Sequence, residues 1–164
     1  MTRFTLLSNP ARKSIARWPL AAALAVGLAG AGRAAQPDVA SPTALASLTV
    51  TFRGLKTPSG TIMVALSDSA EAYSGKAPAA AQATIPVSGD AAVATFSGLR
   101  PGTYAIRAFH DLDGDGRLNV NPFGVPTEPY AFSNNARGMM GPAPWDSAAF
   151  RLEAGENRQT IDID

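Results

Sequence analysis

The sequence predicts an all-β fold, an antiparallel β-sandwich of six or seven short strands with one long ordered loop. Three observations lead there. Apolar and polar residues alternate with a period of two in several short runs. Clusters of Gly, Pro, Asn and Ser separate those runs. No stretch carries the sustained apolar stripe of a helix able to cover a parallel sheet. An up-and-down barrel satisfies the same pattern and is the alternative.

Taken in order, "SLTVTFRGL" (47–55) sets Leu48, Val50 and Phe52 against Ser47, Thr49, Thr51 and Arg53, the mark of a half-buried strand. "TPSG" turns the chain into a second strand, "TIMVALSDS" (61–69), with Ile62, Val64 and Leu66 on one face and Met63 and Ala65 on the other. Residues 70–82 are rich in Ala, but Gly75 and Pro78 interrupt them, so a loop with one helical turn is expected. "ATIPVSGDAAVATFSGL" (83–99) gives two strands about a turn at Ser88–Asp90, and Pro86 puts the first at a sheet edge. "PGTYAIRAFHD" (101–111) is the clearest strand, Tyr104, Ile106, Ala108 and His110 alternating with Ala105, Arg107 and Phe109. Residues 111–146 show little β pattern and contain five prolines, at 122, 126, 129, 142 and 144. Such a long excursion in a small domain points to a functional loop or a disordered one. Its glycines, asparagines and prolines favour an ordered Ω-like path with Phe123, Tyr130 and Phe132 as hydrophobic anchors. Two last strands are expected around Ala149–Leu152 and Gln159–Ile163.

The amino terminus has a different character. Residues 1–34 hold Arg3, Arg12, Lys13, Arg17 and Arg33 and no acid, followed from Trp18 to Ala31 by an apolar run. Gly32 and Ala34 then supply a small-x-small exit, which together describe a secretory signal peptide cut after Ala34. The apolar run is short and rich in Ala and Gly for a membrane span, an uncleaved anchor being the alternative. Residues 35–46 read as a flexible lead and 47–164 as a single domain, with no transmembrane segment in the mature chain and a periplasmic or secreted location. Five of the fourteen basic residues and none of the thirteen acidic ones lie in 1–34, leaving nine against thirteen, a net charge of about −4. A mildly acidic domain without a basic stripe excludes nucleic acid as the expected partner. With no cysteine, no disulfide braces the fold.

The sharpest chemical signal is "HDLDGDGRLN" (110–119). Calcium takes six to eight oxygens in a flexible shell. Asp111, Asp113 and Asp115 stand at the first, third and fifth places of such a loop, and Gly116 at the sixth allows the sharp turn. The Arg117 carbonyl fits the seventh place and Asn119, directly or through water, the ninth. The pattern resembles the loops of EF-hand and dockerin-type repeats over about nine residues and then departs from them. The twelfth place is Pro122, and a strand pattern precedes the loop where an EF-hand has a helix. A calcium-opened sensor is therefore not expected. Glu128 or another carboxylate can complete the shell. The competing reading is a solvated turn of Asp and Gly without metal. Zinc is disfavoured, since the sequence has one histidine and no cysteine; His110 reads as a strand-end residue hydrogen-bonded to the loop.

No GxSxG elbow, HExxH, glycine-rich phosphate loop or CxxC occurs. The aromatic residues around the irregular region form either a cover over the long loop or a ligand patch. For a patch, the candidates are His110, Phe123, Tyr130 and Phe132.

"PGTYA" (101–105), "FHDLDGDGRLN" (109–119), "GVPTEPYAFSNNA" (124–136) and the strand at Phe150 together resemble a bacterial family of small exported proteins catalogued as a domain of unknown function. The resemblance runs from about Leu48 to the C-terminus. It implies export and a sandwich of the Ig-like or prealbumin-like kind, and it supplies no activity or catalytic residue. The functional expectation is an exported, non-enzymatic β-sandwich with a structural calcium site that orders a loop for binding a protein or a cell-envelope glycan. The alternatives are a metal-assisted hydrolase of cell-envelope material, using His110 as acid or base, and a metal-free structural accessory domain.

Overall fold

The structure, a computed structural model, describes residues 44–164. The expected signal peptide (1–34) and residues 35–43 of the expected lead lie outside the described residues. Eight strands follow: β1 (Ala46–Arg53), β2 (Thr61–Ser67), β3 (Ala81–Pro86), β4 (Ala91–Leu99), β5 (Gly102–Asp111), β6 (Tyr130–Phe132), β7 (Phe150–Leu152) and β8 (Gly155–Asp162). Two single helical turns, α1 (Ala70–Tyr73) and α2 (Trp145–Ala148), lie between them. Among the described residues no helix is long and apolar enough to cross a membrane.

The strands form two sheets, and the fold is an all-β sandwich. One sheet has the order β4-β1-β8; the other runs β3-β2-β5, with β6 and β7 both on the far edge of β5. The alternation read from the sequence is the alternation of burial. Leu48, Val50 and Phe52 of β1 face Ile62, Val64 and Leu66 of β2 and Ile106 of β5 across one core, completed by Phe96, Leu152, Ile161 and Ile163. Most pairings are antiparallel, as expected. The exception is β1 with β8, which run parallel in continuous register from Ala46↔Gly155 to Arg53↔Asp162. A parallel pair needs a long crossover connection, and here nearly the whole domain provides it. Side-chain periodicity is the same for either direction of pairing, so it did not signal this.

Locally the elements follow their residues. The α1 turn is held by the Ser69 hydroxyl, which accepts the Ala72 N–H at 3.3 Å. β3 is an edge strand, and Pro86 sits at its last position. β8 is longer than the expected 159–163, and β6 lies inside the stretch expected to be irregular.

Because β6 and β7 share one edge, the chain leaves that edge after Phe132 and rejoins it at Phe150. Ile106 falls in the gap, where neither short strand reaches its N–H. The buried Ser133 hydroxyl fills the gap, accepting the Ile106 N–H at 2.8 Å and donating to the Ala148 carbonyl at 2.5 Å. Asn134 and Asn135 follow with φ of +59° and +50°, a left-handed conformation that asparagine tolerates better than most residues. The Asn134 amide donates to the Ala149 carbonyl at 2.9 Å, and Asn135 Oδ1 accepts the Asp162 N–H of β8 at 2.9 Å. Three consecutive side chains thus tie β6 to β5, β7 and β8.

Ser133→Ala is expected to leave the Ile106 N–H and the Ala148 carbonyl buried without partners. At roughly 1–3 kcal/mol for each orphaned group, urea unfolding should show a stability loss of about 3 kcal/mol.

Candidate metal loop and the cleft beside it

β5 delivers its last residue, Asp111, directly into the acidic loop. Asp111 is only 2 % exposed, and its two carboxylate oxygens accept the N–H groups of Gly114 at 2.7 Å and Gly116 at 2.9 Å. That wrap requires left-handed backbone at both glycines, with φ of +79° and +76°. Asp113 Oδ1 accepts the Asp115 N–H at 3.2 Å, and Asp115 Oδ1 accepts the Arg117 N–H at 2.8 Å. The Asn119 amide donates to Asp113 Oδ2 at 2.7 Å. Asp111, Asp113 and Asp115 each offer an oxygen within 4.8 Å of the others. Like charges about 4 Å apart repel by about 1 kcal/mol per pair even in bulk water, and by more near a protein surface. Each carboxylate oxygen keeps lone pairs beyond those spent on N–H groups.

Glu128 lies outside this trio and has a different task. It is 7 % exposed, its Oε1 accepting the Leu112 N–H at 2.8 Å and its Oε2 the Asn119 N–H at 3.0 Å. One carboxylate therefore clamps both ends of the acidic loop. Beyond it the chain forms a short finger. The Thr127 N–H donates to the Asn119 carbonyl at 2.8 Å, Val120 bridges to Pro126, and the Asn121 N–H donates to the Val125 carbonyl at 2.8 Å. Phe123 stands at the tip and is 89 % exposed. Its expected role as a hydrophobic anchor is corrected here: backbone pairing and Glu128 hold the finger, while Phe123 projects into solvent.

His110 is 1 % exposed. Its Nε2 lies 2.7 Å from the Ser59 carbonyl in the β1–β2 turn, and its N–H donates to the Pro129 carbonyl at 2.8 Å. The turn can come this close because Gly60, at φ +80°, has no Cβ; a Cβ there would collide with the Asp111 carbonyl. A buried, engaged imidazole is not presented to a substrate, which removes the acid or base of the hydrolase alternative. Nor does His110 belong to a surface patch. Phe132 is also buried, its ring 5.8 Å from Tyr130, so of the four patch candidates Phe123 is exposed and Tyr130 half-buried.

Sequence reasoning missed a cleft on the outer face of the larger sheet. Pairing aligns two rows of side chains across four strands there. One row is Gln82, Ala65, Arg107 and Phe132; the next is Thr84, Met63, Phe109 and Tyr130. These rows floor a cleft of about 470 Å³, walled by Gly116 and Leu118 of the acidic loop and by Pro142. At its Arg107 side, Tyr73 of α1 packs on Trp145 and Phe132 at ring distances of 5.7 and 6.4 Å. The Tyr73 hydroxyl donates to the Ala143 carbonyl at 3.0 Å, and burial pushes its pKa up to about 12 against the opposing pull of Arg107. The available signal was the second face of β2 and β5, where Met63, Ala65, Arg107 and Phe109 alternate with the core residues.

A family model described as "Uncharacterized protein conserved in bacteria (DUF2141)" matches residues 50–160. The chain belongs to the DUF2141 family. No curated protein and no solved structure matches it. In this DUF2141 member, the segments that carry the family resemblance adjoin one another along one strand. "PGTYA" opens β5, the acidic loop closes it, "YAF" and "SNN" form β6 and the junction, and Phe150 starts β7.

Glu128→Gln keeps one acceptor and turns an amide N–H₂ toward a backbone N–H. Hydrogen exchange should show lost protection at Leu112 or Asn119, and urea unfolding a loss of roughly 1–3 kcal/mol.

Proposed function

We propose that this DUF2141 protein is an exported, non-enzymatic β-sandwich in which calcium fixes the loop after β5, so that the adjoining finger is presented to a protein or a cell-envelope glycan. The observation that carries this reading is the convergence of three aspartate oxygens within 4.8 Å. Their mutual repulsion is relieved by a divalent cation, and their hardness suits calcium. Asp111, Asp113 and Asp115 would hold the ion, with the Arg117 carbonyl and Asn119 as further oxygen donors and water completing the shell. The ion supplies charge neutralisation and no chemistry. The exposed Phe123 and the half-buried Tyr130 are the apolar groups offered nearby. Export is supported by the basic head, apolar run and small-x-small exit of residues 1–34.

One observation favours a metal-free accessory domain instead: Glu128 and the backbone pairs already brace the loop. Calorimetry separates the two readings. Chelator-treated protein should bind one calcium with a Kd on the order of 10⁻⁴–10⁻³ M. At a hundredfold excess over Kd the fold should gain about 2.7 kcal/mol, seen as a rise in melting temperature. The double variant Asp113→Asn, Asp115→Asn should lose both signals. If the wild-type protein gives neither heat nor thermal shift, the metal-free reading stands.

Export is tested separately by intact mass. Expressed in an export-competent bacterial host, the protein should appear outside the cytoplasm beginning at Ala35. A product that retains residues 1–34 would overturn the signal-peptide reading.

A further inference from the structure

The cleft on the outer sheet face has a chemistry that the acidic loop does not use. Its volume of about 470 Å³ falls within the range of small-molecule sites, roughly 300–1,000 Å³. Met63, Phe109, Tyr130 and Leu118 make its surface mainly apolar, and the small Ala65 beside Arg107 opens its floor. Arg107 is the one cation among the lining residues. It is half-buried, and it takes part in none of the ion pairs among the described residues, which join Arg53 to Asp162, Arg137 to Asp164, Arg151 to Glu153 and Arg158 to Glu156.

A partly desolvated guanidinium without a counter-ion is costly in an apolar surround, and its pairing with an anion is correspondingly favourable. The Arg107 guanidinium lies over the Tyr73 ring, 5.5 Å from its centre. This contact is made to the ring's π face, and the guanidinium N–H donors make no hydrogen bond or ion pair among the described residues, which leaves them for a carboxylate. The position of Arg107 fixes the direction of binding. Asp111 is four residues beyond Arg107 on β5, roughly 13 Å along the strand. An anionic head is attracted to Arg107, the one cation of the cleft, and toward the loop end an apolar body finds Phe109, Tyr130 and Leu118.

We propose that this cleft binds a small amphiphile bearing a single carboxylate, with the head on Arg107 and an unbranched apolar body along the two side-chain rows toward the acidic loop. The single cation matches a single negative charge. This site requires no ion among Asp111, Asp113 and Asp115.

Titration of the purified protein with monomeric decanoate, decan-1-ol and decyltrimethylammonium, the two ions below their micelle concentrations and the alcohol below its aqueous solubility, tests the assignment. Decanoate should bind saturably at one site, at least about tenfold tighter than the alcohol, with no saturable binding of the cation. Arg107→Gln should reduce decanoate to the level of the alcohol and leave the alcohol unchanged. Because Arg107 packs on Tyr73, a second variant guards against misfolding. Gln82→Trp, at an exposed position on edge strand β3, should block decanoate and decanol alike while far-ultraviolet circular dichroism stays unchanged. Absence of saturable decanoate binding overturns the proposal. So does equal binding of anion and cation, decanoate affinity insensitive to Arg107→Gln, or binding to phosphatidylglycerol vesicles without binding of monomeric decanoate.

Discussion

Strand β5 must have its backbone hydrogen bonds met on both edges, and one of those edges is filled in two pieces. β2 pairs along one side from Ala105 to Asp111. On the other side β6 covers 107–109 and β7 covers 102–104, leaving Ala105 and Ile106 between them, with the Ile106 N–H aimed at the gap. An unpaired N–H buried in a sheet costs as much as a lost hydrogen bond, so the break holds only because the Ser133 hydroxyl stands in for a strand. The rest of the architecture follows from that split edge. The excursion 112–129 leads into that edge from β5 and the excursion 133–149 joins its two pieces, and residues of both line the cleft on the larger sheet.

Those excursions turn an ordinary outer sheet face into a cleft. The first contributes Gly116 and Leu118 as one wall, with Glu128 clamping the acidic loop at its root. The second contributes Pro142, and its Ala143, Trp145 and Ala148 pack with Tyr73, Ala105 and Phe132 to cover the neighbouring part of the face. The acidic loop and the cleft are therefore mechanically joined through Gly116, whose N–H is held by Asp111. A change in the loop that moves Gly116 changes a wall of the cleft. Calcium at the aspartates would set that wall, which links the two proposed sites through one short stretch of backbone.

Much of this was legible in the residues themselves. Period-two alternation located the long strands because each has one face in the core, and Pro86 marked an edge because it cannot donate to a second neighbour. The acidic loop was legible because glycine permits the left-handed backbone of a tight turn and neighbouring aspartates accept its N–H groups, both of which are local in sequence. β6 and the role of Phe123 were not. A three-residue strand is too short to show a period, and its pairing depends on where β5 runs out of partners. Phe123 looked like an anchor because large apolar residues usually bury, yet it sits at the tip of a finger that backbone bonds already hold. Glu128 is visible in sequence as a charge able to complete an ion's shell, whereas the Leu112 and Asn119 N–H groups that hold its carboxylate are brought to it only by the fold.

The sequence by itself determined the all-β class, the faces of the main strands, the turn chemistry of the acidic loop and the resemblance to a bacterial family, since all of these rest on local composition and spacing. Tertiary structure alone decided the parallel pairing of β1 with β8, the split edge of β5, the burial of His110 and the alignment of Arg107 with Ala65 and Phe132 across three strands. Each of these is a relation between residues distant in the chain. Register and hydrogen-bond satisfaction fix such relations, and neither leaves a mark on the sequence around any one residue.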